Sequence, residues 1–328
     1  MALQPHYIHA IVSNYTPQET TELCGRCGYK KANMRVDKIF MSAVMGGMLL
    51  SFACAAYLNV NSSPWFQENA PGLIKTIGAL IFPFGLLMVV VTGTDLCTGS
   101  FMYTTIAALQ GRISVLKMLQ HWFLTFWGNL AGCLFVVALI TGYGETFKSS
   151  AYAAEVIRFG TSKAITPSWH AIFLRAIGAN WLVCVACFLS MMPREYFSKV
   201  MAIWWPTFAF VSLGFDHVVA NMYFIPTAIF NHHPDITVTY YVWKSLIPAL
   251  LGNIIGGSLF VGVFFWYLHL TGEELVSIDG QYFPGDKPRM GMAICKSEDP
   301  PRHRREDSLE RKKSSEDEFS ARTAENMV

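Results

Sequence analysis

Two apolar stretches long enough to cross a membrane are each interrupted midway by a Gly-x-Asp motif, Gly93-Thr94-Asp95 and Gly214-Phe215-Asp216. Lipid offers no partner to a freed N–H or C=O, so backbone interrupted at that depth must be buried in protein or line a cavity. A similar closing segment follows each interruption: Gly128-Asn129-Leu130-Ala131-Gly132 after the first, and Gly252-Asn253-Ile254-Ile255-Gly256 after the second. The chain therefore reads as two related halves, roughly 37–142 and 166–270. Paired interruptions at corresponding places of two halves point to a transport site between them.

With 52% hydrophobic and 15% charged residues, the chain is too apolar for an ordinary soluble enzyme, in which charge runs near a quarter of the sequence. A bilayer core of about 30 Å needs about 20 apolar residues per helical crossing. Six such runs are present, at about 38–60, 72–109, 115–142, 166–192, 199–230 and 238–269. Three crossings per half invert the second half against the first, and an all-α integral membrane fold with broken helices 2 and 5 is expected. The segments divide into 1–36 at the N-terminus, the six-span body 37–270, and a polar tail 271–328 too poor in apolar residues to fold. Basic residues gather at Arg26 to Arg35, Arg112, Lys117, Arg194, Lys199 and the tail, which predicts both termini on the cytoplasmic side. The first 36 residues lack the apolar core of a cleavable signal peptide.

Of the eight cysteines, Cys54, Cys97, Cys133, Cys184 and Cys187 fall in or beside spans, so no disulfide framework is implied. Cys24 and Cys27 form a CxxC, but nothing nearby supplies two further zinc ligands. The tail reads as a solvated segment, or as a phosphorylation or anionic-lipid site around Ser308, Ser314 and Ser315. No metal, no cofactor and no nucleic-acid partner is expected. Membrane lipid is the surrounding solvent.

Ionisable groups inside a span are costly and mark function by default. His217 follows the second break, and Asn221 lies four residues on, which puts the two on one face if helix resumes there. Asp216, and Asp95 in the first half, are suited to accept N–H groups freed by the breaks. Thr98 offers an uncharged hydroxyl, and Gly99 leaves room for close backbone approach. Half-helices that start after the breaks aim their positive ends at the centre, which favours a small anion. Phe82, Leu86, Phe210, Leu96 and Val183 flank these polar points as apolar constrictions. Lys163, with Arg158, lies before the fourth span, where a cation would steer anions inward. Gly128/Gly132 and Gly252/Gly256 have the small-xxx-small spacing of close helix packing.

The stretch Val90-Val91-Thr92-Gly93-Thr94-Asp95-Leu96-Cys97-Thr98-Gly99 resembles the first signature of the formate/nitrite transporter family. Ala176-Ile177-Gly178-Ala179-Asn180-Trp181-Leu182-Val183-Cys184-Val185-Ala186 resembles its second, and Phe215-Asp216-His217-Val218-Val219-Ala220-Asn221-Met222 its central histidine segment. The resemblance implies an aquaporin-like fold assembled as a homopentamer, with one pore per protomer. It implies that Thr98 faces His217 and Asn221, that Phe82, Leu86 and Phe210 form the cytoplasmic constriction, and that Leu96 with Val183 forms the outer one. It also puts the family's vestibule lysine at Lys163. Cys97 stands where the family has Phe or Ile, a change expected to widen the outer constriction. The polar tail and N-terminal extension are similar to those of eukaryotic, parasite-type members, which are associated with proton-coupled lactate export.

These features predict a plasma-membrane transporter of small monocarboxylates, L-lactate and formate first, with pyruvate and acetate behind. In this reading Lys163 attracts the anion, desolvation makes it more basic, and it crosses as the neutral acid with a proton from bulk water or His217. The alternative is an electrogenic channel for formate, nitrite or hydrosulfide. An intramembrane enzyme is disfavoured, because Ser212 near His217 lies in no GxSxG-type motif.

Overall fold

A capping box starts the first helix: the Thr16 hydroxyl accepts the Glu19 N–H, and the Glu19 carboxylate accepts the Thr16 N–H at 2.8 Å. In the computed structural model, which describes residues 14–272, 275–284 and 286, this helix is α1 (Pro17–Ala32). There follow α2 (Val36–Asn61), the short α3 (Pro64–Asn69), α4 (Pro71–Thr92), α5 (Cys97–Leu109) and α6 (Val115–Gly142). The second half consists of α7 (Ser150–Gly160, continued by a π-helical turn Thr161–Ile165), α8 (Trp169–Met191), α9 (Tyr196–Leu213), α10 (Val218–Phe230) and α11 (Val238–Leu270). All these elements belong to one unit that ends at Phe283.

Helices α2, α4, α6, α8 and α11 are each long and apolar enough to cross a membrane, and the bent pair α9 and α10, turned by 48° at the break, makes a sixth crossing. The first broken crossing has the longer upstream arm, 22 residues in α4 against 18 in α9. That arm is interrupted at Phe82, where Pro83 has no N–H to continue the ladder.

Helix α2 packs along α6, and α8 packs along α11 in the same way. Glycine makes both contacts possible: a Cβ on Gly132 would run into the Val44 carbonyl, and one on Gly256 into the Ile177 carbonyl. Gly128 and Gly252 meet Phe40 and Phe173 carbonyls likewise. The duplication extends one helix beyond the apolar pattern, because α1 packs on α5 much as α7 packs on α10.

The expectation of an unfolded tail from residue 271 is corrected over its first part. Residues 275–283 turn back through an Ile278–Gln281 bridge and dock on α1. Arg26 donates to the Gln281 carbonyl at 2.9 Å, Tyr29 packs edge-on against Phe283 at 5.1 Å, and Arg112 lies 4.0 Å from the centre of the Phe283 ring. One aromatic anchor and these cation contacts hold a segment whose composition alone reads as polar. Ser308, Ser314 and Ser315 lie outside the described residues.

Candidate functional site

Each break opens with a glycine in the left-handed region, Gly93 at φ 72° and Gly214 at φ 75°, a conformation that ends α4 and α9 without a Cβ penalty. Several of the groups this exposes are taken up inside the protein. Asn129 accepts the Cys97 N–H at 2.9 Å and donates to the Ala43 and Asp95 carbonyls at 2.7 and 2.8 Å. Asn253 does the same in the second half, accepting the Val218 N–H at 2.8 Å and donating to the Ala176 and Asp216 carbonyls at 2.7 and 3.1 Å. One freed N–H at each break therefore goes to an asparagine, and not to Asp95 or Asp216 as expected. An amide suits this position because it carries donor and acceptor together.

The aspartates instead anchor two buried ionic clusters of matching design. Asp216 Oδ1 lies 3.1 Å from Lys163 Nζ and 3.4 Å from Asn221 Nδ2, and Asn221 also reaches Ser245. Asp95 Oδ1 lies 3.1 Å from Lys31 Nζ and accepts from Ser100 at 2.7 Å, while its Oδ2 lies 3.1 Å from His121 Nε2. Helices α1 and α7 each contribute the lysine. Lys163, 8% exposed, also donates to the Gly214 and Phe215 carbonyls at 2.8 and 2.9 Å. Its three donors are thus all engaged on the second break, which makes it a clamp on the loop and not a free cation held out to an approaching anion.

Between the clusters, His217 and Thr98 meet at 3.0 Å, one from the start of each half-helix. His217 caps α10: its Nδ1 accepts the Ala220 N–H at 3.2 Å. The ring hydrogen of the neutral imidazole is then on Nε2 and donates to Thr98 Oγ1, which leaves the Thr98 hydroxyl hydrogen free for another acceptor. Asn180 donates to the Thr98 carbonyl at 3.1 Å and fixes that loop. Asn221 faces Asp216 and Ser245 rather than the His217–Thr98 pair it was expected to join.

A cavity of about 390 Å³ reaches His217 from the Lys163 side and is lined by Tyr57, Phe82, Phe159, Phe210 and Asn221 among others. Beyond it lies a chamber of about 10 Å³, room for one water-sized group, between Phe82, Phe210 and His217 on one side and Leu86, Leu96 and Val183 on the other. This order corrects the expected constrictions. Phe82 and Phe210, edge-to-face at 5.9 Å, stand on the same side as Lys163, not opposite it. Leu86 joins Leu96 and Val183 in the second constriction. Cys97 lines neither cavity, so its size does not set the width of either constriction. Gly99 is likewise no point of forced approach, since a Cβ there would rest in ordinary contact with Cys187 and Tyr103, at 3.6 and 3.7 Å.

Sequence reading passed over Lys31, His121, Asn129, Asn253 and Thr207. Lys31 was legible in principle: Gly28-Tyr29-Lys30-Lys31 and Gly160-Thr161-Ser162-Lys163 share the Gly-x-x-Lys spacing. The two asparagines occupy one place in the repeated closing segments. Thr207 left no signal; its fully buried hydroxyl, without a protein partner, belongs to a residue lining the small chamber.

A family model described as formate/nitrite transporter matches residues 18–267. A "Probable formate transporter" of Methanothermobacter thermautotrophicus is 31% identical over 78% of this chain and 97% of its own length. A solved structure described as "FNT family ion channel" superposes with a TM-score of 0.70 at 26% identity, covering 76% of this chain and 98% of the other. A second, described as "Pentameric formate channel with formate bound", gives 0.64 at 27% identity, covering 72% and 98%.

Proposed function

This chain belongs to the formate/nitrite transporter family, a family of membrane transporters and channels rather than enzymes, and from that membership we propose that it carries small monocarboxylates across the membrane together with a proton. The observation that supports this most directly is that no free charge from the described residues lines the central chamber. Lys31 and Lys163 are paired with aspartates, His217 caps a helix through Nδ1, and the apolar walls of the chamber are Phe82, Phe210, Leu86, Leu96 and Val183. A bare carboxylate entering there would lose its hydration without gaining a cation, at a cost of many kcal/mol for an isolated charge in an apolar medium. Desolvation raises the pKa of a carboxylic acid, so the anion takes a proton before the aromatic pair and passes as the neutral acid. The hydroxyls of Thr98 and Thr207 and the imidazole of His217 then supply neutral hydrogen bonds in place of water.

Formate and L-lactate are the first substrates of this reading, with pyruvate and acetate next. The second reading is an electrogenic channel for formate or a similar small anion, favoured by the solved neighbours that are described as channels. By analogy with the pentameric neighbour, the chain assembles as a homopentamer with one pore per protomer. It sits in the plasma membrane with both termini in the cytoplasm and the Lys163 cavity outside.

Uptake of labelled formate and L-lactate into proteoliposomes at external pH of about 5.5 and 7.5, with current recorded alongside, separates the two readings. Proton-linked transport gives acid-stimulated uptake without current. Uptake that ignores pH and carries current assigns the protein as an anion channel.

A further inference from the structure

Four cations line the cavity on the Lys163 side: Lys75, Arg158, Lys163 and Arg175. Two of them are neutralised in place. Arg158 donates twice to the buried Glu155 carboxylate, at 2.6 and 2.7 Å, and Lys163 pairs with Asp216 at 3.1 Å. Lys75 and Arg175 make no ion pair or hydrogen bond with any described residue, and both are exposed. They rise from α4 and α8, one from each half of the duplication. Lys75 leans over the second break, its Nζ 3.5 Å from where a Cβ on Gly214 would sit, so it approaches the same loop whose carbonyls hold Lys163.

A cavity lined by charge of one sign and walled by protein focuses its field and raises the local concentration of counter-ions. Here that field comes from the two cations without carboxylates. Arg175 adds a planar fork that matches the two oxygens of a carboxylate. We propose that Lys75 and Arg175 form an admission site for a small carboxylate ahead of the Phe82–Phe210 pair, and that they supply the attraction expected of Lys163. The inference rests on the proposed transport of monocarboxylates for its substrate class, but the electrostatic site does not require that transport occur. The competing fate of two long cationic side chains near span ends is to reach lipid phosphates instead.

The test uses the full-length protein in liposomes with a reporter thiol introduced in the cavity by Ser162→Cys, the unsubstituted chain giving the background. The rates of modification by a negatively charged sulfonatoethyl and a positively charged trimethylammonium methanethiosulfonate are compared at low ionic strength. Adding Lys75→Gln and Arg175→Gln together is expected to lower the ratio of anionic to cationic rate about fivefold, with salt erasing the difference. Lys75→Arg with Arg175→Lys should keep the ratio, which separates charge from misfolding. An unchanged ratio in the doubly neutral variant overturns the proposal and leaves the two heads with lipid. Formate uptake runs in parallel: loss of half-saturation at low concentration with unchanged maximal rate extends the site to the substrate. A fallen ratio in a protein that moves no formate would retain the site and reject the transport reading.

Discussion

His217 has one nitrogen committed to the backbone, and this limits what it can do with a proton. To become imidazolium it would have to give up the Ala220 N–H that its Nδ1 accepts. Asparagine is among the best residues at a helix N-cap, and its amide can accept that N–H while donating to Thr98. His217→Asn is therefore expected to keep formate uptake within about threefold of wild type, the scale of one altered neutral hydrogen bond, with acid stimulation intact. Loss of uptake at every pH would instead make the imidazole the obligatory proton carrier. Aspartates 95 and 216 teach the same lesson about buried charge. Each looked like a backbone acceptor in the sequence, and each serves as the counter-ion of a lysine delivered by a distant helix.

Between elements, the duplicated packing of α2 on α6 and of α8 on α11 depends on the absence of side chains at a few positions. At Gly132 and Gly256 the space for a Cβ is already filled by a backbone carbonyl of the facing helix, and such a group cannot swing away. Gly132→Val and Gly256→Val should each cost about 3 kcal/mol of stability through overpacking, seen as a lowered melting temperature of the detergent-solubilised protein. Gly99→Ala is the contrasting case. The new methyl would meet Cys187 and Tyr103 at ordinary contact distance, and Ala removes the entropy cost of glycine in a helix interior, so the melting temperature should hold or rise. Equal losses at all three positions would mean that the facing carbonyls do not govern the packing.

Across the molecule, the cavity charge is tied to pH through Glu155. Burial pushes its carboxyl above the usual glutamate value of 4.5, while hydrogen bonds and charge from Arg158 and a hydrogen bond from Gln67 act against that; Tyr57 is the other titratable group facing it. Because the folded pKa is raised, the fold favours the protonated form: this contribution to stability is full below the unfolded value and is lost as pH rises through the folded one. Protonation also deprives Arg158 of its counter-charge, which makes the cavity more positive in acid. Glu155→Gln should flatten the acid limb of formate uptake in the range just above the usual glutamate value and remove the matching slope in thermal stability. An unaltered acid limb in the variant would exclude Glu155 from the pH response.

Much of this architecture was open to reading along the chain. Six apolar runs, the paired Gly-x-Asp breaks and the repeated Gly-Asn closing segments are local patterns, since span length, the left-handed glycine and helix periodicity depend on neighbours in sequence. Thr98 and His217 could be named because they lie beside those breaks. The order of the constrictions could not, because Phe82 and Leu86 lie four residues apart on one helix and sort to opposite sides of the chamber only when α9 brings Phe210 against Phe82. Nor could the pairing of Lys31 with Asp95 and of Lys163 with Asp216, which together with the local i,i+3 pair of Arg158 with Glu155 leaves Lys75 and Arg175 as the unmatched cations of the cavity. Whether a cation is free or neutralised depends on which carboxylate the folded chain carries to within a few ångströms of it, and that distance exists only after closure.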